Sequence, residues 1–248
     1  MLRFYYIMFP AIIFNIYYLP LMWYIAKNPD KYSEQTRYKV GRSLIRMIKR
    51  RGRITTISSG QEFLPKDGGY IMYSNHQGKY DMLGIVSTHD RPCAIVIDKK
   101  TTKEILPRLY TKLVKGQKLD KKDPRQQVKA ISRVIKEIIE GRRYLLFPEG
   151  GYTDNKNTLL EFHPGSFKIP LKTKCPIVPV TIYDSYKPFT INSVKRVTTQ
   201  VHYLEPIYYE QYAGMSTREI CDMVYERISN KLAEIEKGKL FPENKMVV

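Results

Sequence analysis

From Arg53 to Lys237 the chain alternates between two hydrophobic periods, and that alternation narrows the fold more than any other feature. Short runs rich in β-branched and aromatic residues read as strands: RITTIS from Arg53, YIMYSN from Tyr70, CAIVID from Cys93, RYLLF from Arg143, CPIVPVTIY from Cys175 and RVTTQVHYL from Arg196. Helical patterns stand at 82–89, 102–113, 124–140 and 217–237. The third has Asp123 placed as N-cap, Pro124 at the first helical position and Gly141 just past its end. Its residues Val128, Ile131, Ile135, Ile138 and Ile139 are expected to form a core-facing stripe. Strands that alternate with helices imply an α/β fold: a mixed, largely parallel sheet covered by helices. In open sheets of this kind functional residues gather beyond the carboxyl ends of strands. Three loops occupy such places: one carries His76 and Asp81, one Glu149, Gly150 and Gly151, and one Pro179 and its neighbours.

Ahead of this region lies a different composition. Residues 4–26, FYYIMFPAIIFNIYYLPLMWYIA, hold no charge, and their length reaches the ~20 residues of a membrane span. Pro10, Asn15 and Pro20 interrupt the run, which fits two short kinked helices as well as one straight rod. Tyr5, Tyr6, Tyr17, Tyr18, Trp23 and Tyr24 are residue types that favour the headgroup level of a bilayer. A cleaved signal peptide fits poorly, because Arg3 alone supplies the positive end and no small-x-small site comes after it. The reading is a membrane-associating helical segment, either an anchor or an interfacial hairpin; a core helix of the folded domain is the alternative. Lys and Arg dominate the next stretch of chain, so that side, with the domain that follows, is expected on the cytoplasmic face. Residues 33–50 form an amphipathic pattern with Val40, Leu44, Met47 and Ile48 on one face and Arg37, Arg42, Arg46, Lys49 and Arg50 mostly elsewhere. Such a helix can lie on an anionic bilayer or pack as a solvated helix on the domain. The chain thus divides into membrane-seating helices over 1–50 and one α/β domain over 51–248.

Charge narrows the partners. Lys and Arg number 42 against 24 Asp and Glu, a formal +18, which calls for a polyanion. Nucleic acid and an anionic membrane surface both qualify; the apolar N-terminal segment selects anionic membrane lipids, and no nucleic-acid-binding motif is present. Cys93, Cys175 and Cys221 are far apart and form no C-x-x-C pair, so a reducing setting and three small buried side chains are expected. His89, His163 and His202 show no metal-ligand spacing and read as structural or surface residues, and no metal site is expected. His163 draws most interest of the three because it comes after the Glu149 loop.

His76 is the side chain suited to taking a proton near neutral pH. A carboxylate on its other ring nitrogen would fix the tautomer and stabilise the imidazolium. Five residues separate it from Asp81, too many for two groups stacked on one helical face. A loop position for His76 and a first-turn position for Asp81 would let the chain fold back and join them, with the helix dipole favouring the carboxylate.

Asn75-His76 with Asp81, then Phe147-Pro148-Glu149-Gly150, then the Pro179-containing CPIVPVTI together resemble the glycerolipid acyltransferase family, which includes the 1-acyl-glycerol-3-phosphate acyltransferases. The family's blocks are Asn-His-x-x-x-x-Asp, Phe-Pro-Glu-Gly-Thr-Arg and a Pro-containing strand, and the resemblance runs from Ile54 to Pro206. It implies that His76 is the general base, deprotonating an acceptor hydroxyl that attacks the thioester carbonyl of acyl-CoA or acyl-carrier protein, and that Asp81 orients it. The implied acceptor is a lysophospholipid, foremost 1-acyl-glycerol-3-phosphate, which would become phosphatidic acid. No cofactor beyond the acyl-thioester co-substrate and no metal is implied. Glu149, Gly150 and Lys121 would shape the acceptor site, with Asn75, Pro148 and Pro179 completing the motifs.

Two departures bear on the acceptor. Glu149-Gly150 continues as Gly151-Tyr152 where the family pattern has Thr-Arg, and Leu119-Asp120-Lys121 stands where the family commonly has Ile-Asp-Arg. Lys121, Lys122 or Arg125 could compensate by holding an acceptor's phosphate, as point charges in the case of lysine. Another lysophospholipid acceptor is the alternative reading, and a catalytically silent membrane-surface protein is the rival from another class. The basic segment 99–129 suits anionic lipid, coenzyme A phosphates or acyl-carrier protein, or is a solvated face.

Overall fold

A computed structural model of the chain describes residues 11–238. The parts of the apolar segment before Ala11, including Tyr5, Tyr6 and Pro10, and the last ten residues lie outside the described residues. Two helices come first, α1 (Ala11–Lys27) and α2 (Glu34–Arg51), and then strand β1 (Ile54–Ser59). The remainder is β2 (Ile71–Ser74), α3 (Asp81–Thr88), β3 (Ala94–Asp98), α4 (Ile105–Leu113), β4 (Gln117–Leu119), α5 (Pro124–Ile139), β5 (Tyr144–Leu146), α6 (Lys168–Thr173), β6 (Ile177–Tyr183), α7 (Lys187–Thr190), β7 (Val197–Tyr203), α8 (Tyr209–Tyr212) and α9 (Thr217–Glu236).

The strands form one seven-stranded sheet in the order β1-β7-β6-β2-β5-β3-β4. From β6 to β4 every pairing is parallel, whereas β7 runs antiparallel to β6 and takes β1 alongside it in parallel. This is the mixed, largely parallel α/β sheet that the alternation implied. Successive strand residues face opposite layers, as the pleat requires. Met72, Leu145, Val178, Val180 and Ile182 pack with α1 to α4, while Ile71, Tyr73, Tyr144, Leu146 and Ile177 pack with α5, α6 and α9. Both faces are covered, which is why the central strands are apolar on both sides.

α2 begins where Ser33 caps it, its hydroxyl accepting from the Thr36 amide at 3.1 Å. The helix packs on the domain through Tyr38, Leu44, Ile45 and Ile48 rather than lying free. Val40 and Met47 are only partly buried, so the inward face is rotated from the expected one. Gly41 lets α4 approach: a Cβ there would meet the Tyr110 ring at 2.7 Å. Arg37, expected on the polar face, is buried and donates to the Pro29 and Tyr32 carbonyls at 2.8 and 2.7 Å.

Several expectations need correction. α1 continues through Asn15 and Pro20, so no break falls at either within the described residues. In α5 the buried line is Ala130, Val134 and Ile138, with Val128 and Ile139 exposed. At about 100° per residue Val128 and Ile139 lie roughly 120° and 140° round the helix from the middle of the buried line, beyond the reach of the core. Pro179 lies within β6, opposite Tyr73, as the strand reading of CPIVPVTIY has it and not in a loop beyond a strand end. The sheet absorbs it because its carbonyl still accepts from the Leu204 amide at 2.9 Å. Helix 102–113 is split: a short 3-10 turn at Thr101–Lys103 precedes α4. Among the described residues no helix is long and apolar enough to cross a membrane. α1 buries Met22 and Ile25 against the domain while Ile16, Tyr17, Trp23 and Tyr24 stay exposed. Cys93, Cys175 and Cys221 are buried and unbridged.

Candidate active site

The site is built at the carboxyl ends of β2 and β5. These strands run parallel with Tyr73 opposite Leu146, so the loops leaving them start side by side. Past Ser74, Asn75 supplies the next rung of the sheet with its side chain: its amide donates to the Ile182 carbonyl at 3.0 Å and accepts from the Ile182 amide at 2.8 Å. Gln77 pins the same loop, donating to the Ile182 carbonyl and to Asn157 Oδ1 at 3.0 Å each and accepting from the Ser185 amide at 2.8 Å.

The chain then turns into α3, whose first residue is Asp81, fully buried. Asp81 Oδ2 accepts from His76 Nδ1 at 2.5 Å, from the Gln77 amide at 2.5 Å and from the Gly78 amide at 2.8 Å. A carboxylate at a helix N-terminus that gathers two backbone N–H groups is well stabilised as an anion. Its Oδ1 is buried with no partner among the described residues. With Nδ1–H donated to Asp81, the imidazole keeps its lone pair on Nε2, and the side chain is 18% exposed. The ring is stacked on Phe147, centroids 4.3 Å apart, and meets the edge of Tyr152 at 4.6 Å.

Glu149 approaches from β5. Its Oε1 accepts from the His76 backbone N–H at 3.0 Å, and its Oε2 is buried without a partner among the described residues. Burial pushes this carboxyl up to about 8; the His76 N–H pulls the other way, and the Asp81 charge adds to the rise. Gly150 has φ +69°, and a Cβ there would come within 3.0 Å of the His163 ring. The Gly150 carbonyl accepts from Lys121 Nζ at 2.6 Å, and the same ammonium lies 3.4 Å from Asp98 Oδ2. His163 donates its backbone N–H to the Pro148 carbonyl at 2.9 Å. His76, Asp81, Glu149, Gly150, Lys121, Asn75 and Pro148 are therefore one contiguous cluster, and Pro179 stands one strand away from the loop that holds His76. Among the described residues, the side chains of Lys122 and Arg125 form no hydrogen bond or ion pair with it. Nor could any group of three or more His, Cys, Asp or Glu side chains among the described residues hold a metal ion.

A family model described as acyltransferase matches residues 56–183, the stretch that contains this whole cluster. The chain belongs to the acyltransferase family. It is similar to the 1-acyl-sn-glycerol-3-phosphate acyltransferase alpha of Homo sapiens, 26% identical over 71% of this chain and 63% of that protein. It thus spans less than two thirds of that relative's length. The 1-acyl-sn-glycerol-3-phosphate acyltransferase of Escherichia coli (strain K12) is 27% identical over 68% of this chain and 69% of its own length. The fold is that of a crystal structure of the 1-acyl-sn-glycerophosphate (LPA) acyltransferase PlsC from Thermotoga maritima, with a TM-score of 0.74 over 98% of this chain and 96% of that one, at 22% identity.

Several parts of this site carry little sequence signal of their own. The aromatic bracket of Phe147 and Tyr152 depends on sheet order, which places β5 beside β2. Asn155 Nδ2 donates to the His76 carbonyl at 3.1 Å and to the Thr158 carbonyl at 2.8 Å, so the loop after Tyr152 folds over the histidine. The polar run 153–158 was the available signal, because asparagines that fix loops cluster in this way. His89 and His202 prove structural, both buried. Burial lowers each to about 4.

Proposed function

We propose that this chain moves a fatty acyl group from an acyl thioester, acyl-CoA or acyl-carrier protein, to the free hydroxyl of a lysophospholipid, foremost 1-acyl-glycerol-3-phosphate, yielding phosphatidic acid. The observation that carries the reading is the 2.5 Å contact between His76 Nδ1 and a buried Asp81 whose remaining contacts are backbone amides. It leaves Nε2 as the basic atom of the pair open to a substrate.

Nε2 takes the acceptor's hydroxyl proton as that oxygen attacks the thioester carbonyl carbon. Asp81 stabilises the imidazolium that forms. The tetrahedral adduct collapses, the carbon–sulfur bond breaks, and the imidazolium returns its proton to the departing thiolate. His76 ends as it began, and the products are an ester and a free thiol. Glu149 holds the His76 backbone and lines the acceptor's side of the cluster, while Lys121, fixed on the Gly150 carbonyl, provides a cation for an acceptor phosphate. The names of the human and Escherichia coli relatives support this acceptor.

Residues 1–50 seat the domain on the membrane, on the cytoplasmic side, with the acyltransferase domain over 51–248. The exposed Ile16, Tyr17, Trp23 and Tyr24 of α1 support an interfacial seat. The departure at Gly151-Tyr152 favours a second reading, transfer to a lysophospholipid with another head group: an aromatic ring of 41% exposure stands there beside His76. Purified protein offered a panel of lysophospholipids with acyl-CoA and acyl-carrier-protein donors tests both readings. Phosphatidic acid as the main product, absent with His76→Ala, is the expected result; no ester from any pair, or equal turnover by His76→Ala, overturns the assignment.

A further inference from the structure

Away from the His76 cluster, α1 packs against α2. A groove of about 790 Å³ opens there, lined by Arg46, Arg50, Arg51 and Arg53 together with Tyr18 and Met47. Among the described residues no carboxylate lines it. Arg46, Arg50 and Arg53 form no ion pair among the described residues, although the chain spends acidic partners on Arg133, Arg142 and Arg218 elsewhere.

Basic residues in the last turn of a helix are ordinarily explained by the helix dipole. That explanation reaches Arg50 and Arg51 but not Arg46, a turn earlier, or Arg53, beyond the helix end. Nor do the last carbonyls of α2 call for these guanidiniums: the Gly52 amide bonds the Ile48 carbonyl at 2.8 Å and the Arg53 amide the Arg50 carbonyl at 3.3 Å. The like charges of Arg46, Arg50 and Arg53 around one concavity repel one another, and an anion in their midst relieves that repulsion. Guanidinium also matches phosphate in shape and hydrogen-bonding pattern.

The apolar members choose among anions. Tyr18 sits edge-on to Tyr17, with ring centroids 5.5 Å apart, and Tyr17 is 65% exposed on the same helix that exposes Ile16, Trp23 and Tyr24. The groove thus adjoins an uncovered aromatic face, the pairing of apolar surface and cation that a lipid presents in reverse as acyl chain and phosphate.

We propose that this groove binds the phosphate of an anionic phospholipid headgroup, as a site separate from the His76–Asp81 centre. The proposal rests on the membrane seating proposed above for residues 1–50 but not on acyl transfer. It would give that seating a charge preference.

The test compares binding of the full chain to vesicles of phosphatidylcholine alone and of phosphatidylcholine mixed with phosphatidylglycerol. Arg46→Gln/Arg50→Gln is expected to bind the mixed vesicles roughly 30-fold more weakly, from about 1 kcal/mol for each cation at a lipid surface. The control Lys129→Gln/Lys136→Gln removes the same charge from α5, which packs on the opposite face of the sheet, and should retain most of the affinity. If the double variant loses its thermal transition, Arg46→Gln and Arg50→Gln singly, each expected near fivefold, carry the same comparison. Equal losses in variant and control, or no loss in the variant, overturn the proposal. So does displacement of the mixed vesicles by inorganic phosphate but not by chloride of equal ionic strength, which would make free phosphate the ligand. Wild-type binding to both vesicles without charge preference removes the groove but keeps the membrane seat, whereas binding to neither removes both. His76→Ala should keep the wild-type preference, which separates this test from the fate of the acyl-transfer reading.

Discussion

The two ends of α3 each carry a histidine in contact with a hydrogen-bonding partner, and they serve opposite purposes. Ahead of the helix, His76 gives Nδ1 to a carboxylate and leaves Nε2 open on a partly exposed ring. Behind it, His89 has both nitrogens engaged by neutral groups, the Tyr70 hydroxyl at 2.6 Å and the Arg91 carbonyl at 2.7 Å, and no exposure at all. Burial holds His89 down to about 4, although the Arg91 carbonyl pulls it upward. One residue type in one short segment thus becomes a proton acceptor or a structural strut according to the charge of its partner and its access to water. The polar atoms nearby show the same division. Around His89 the Tyr38, Tyr203 and Thr88 hydroxyls all find partners, whereas the His76 end leaves Asp81 Oδ1 and Glu149 Oε2 buried and unmatched among the described residues. A buried polar atom left without a partner beside the open Nε2 is one that a bound substrate can satisfy.

The contrast breaks most decisively by exchanging which histidine is lost. His76→Ala should lower acyl transfer by roughly 10³-fold or more while the thermal transition stays close to wild type. His89→Ala should do the reverse, keeping turnover per folded molecule but losing about 2–4 kcal/mol of stability through the cavity and the orphaned Tyr70 hydroxyl, read by denaturant unfolding. Equal kinetic damage from both would erase the distinction.

Asp81→Asn comes next. It keeps the shape but removes the charge that stabilises the imidazolium, so kcat should fall roughly 10²- to 10⁴-fold with less change in KM.

Stability against pH separates Glu149 from His89. Glu149 has a folded value of about 8 against 4.5 for the free group, so the folded state holds its proton more tightly and stability falls as pH rises from 4.5 to 8. Glu149→Gln should lose that slope and become relatively more stable than wild type above pH 8, measured as Tm across the range. His89 acts in the other direction: its folded value is lowered from 6.5 to about 4, so its contribution is present above 6.5 and lost as pH falls toward 4. Subtracting the variant's curve from that of wild type isolates Glu149. The smallest effect belongs to the bracket around His76. Tyr152→Phe should be neutral and Tyr152→Ala about fivefold slower, from a ring contact worth roughly 1 kcal/mol.

Strands and the outline of the site were legible because they rest on local rules. The apolar β-branched runs appear as strands within a residue or two, and the fold-back from His76 to Asp81 needs only a turn and a helix start. What escaped depends on distant packing or on weak patterns. β4 is QKL, three half-buried residues with no apolar alternation, and α6 is a six-residue helix that contains Pro170. Val128 and Ile139 looked inward because only their spacing was visible, not the position of the sheet. Phe147 and Tyr152 meet His76 only because β5 lies next to β2, which no local pattern encodes.

The parallel pairing of β1 with β7 has a bearing on how the chain reaches this state. Ile54 aligns with Val197, so among the described residues the first strand pairs only with the seventh, and it must wait unpaired until β7 has been made. A flat apolar strand in that position would invite association with neighbouring chains. Ile54–Ser59 reads ITTISS, with hydroxyls at four of six positions, and β4 at the opposite edge carries Lys118. Poorly adhesive ends let the nascent sheet grow from its apolar middle while its margins remain soluble.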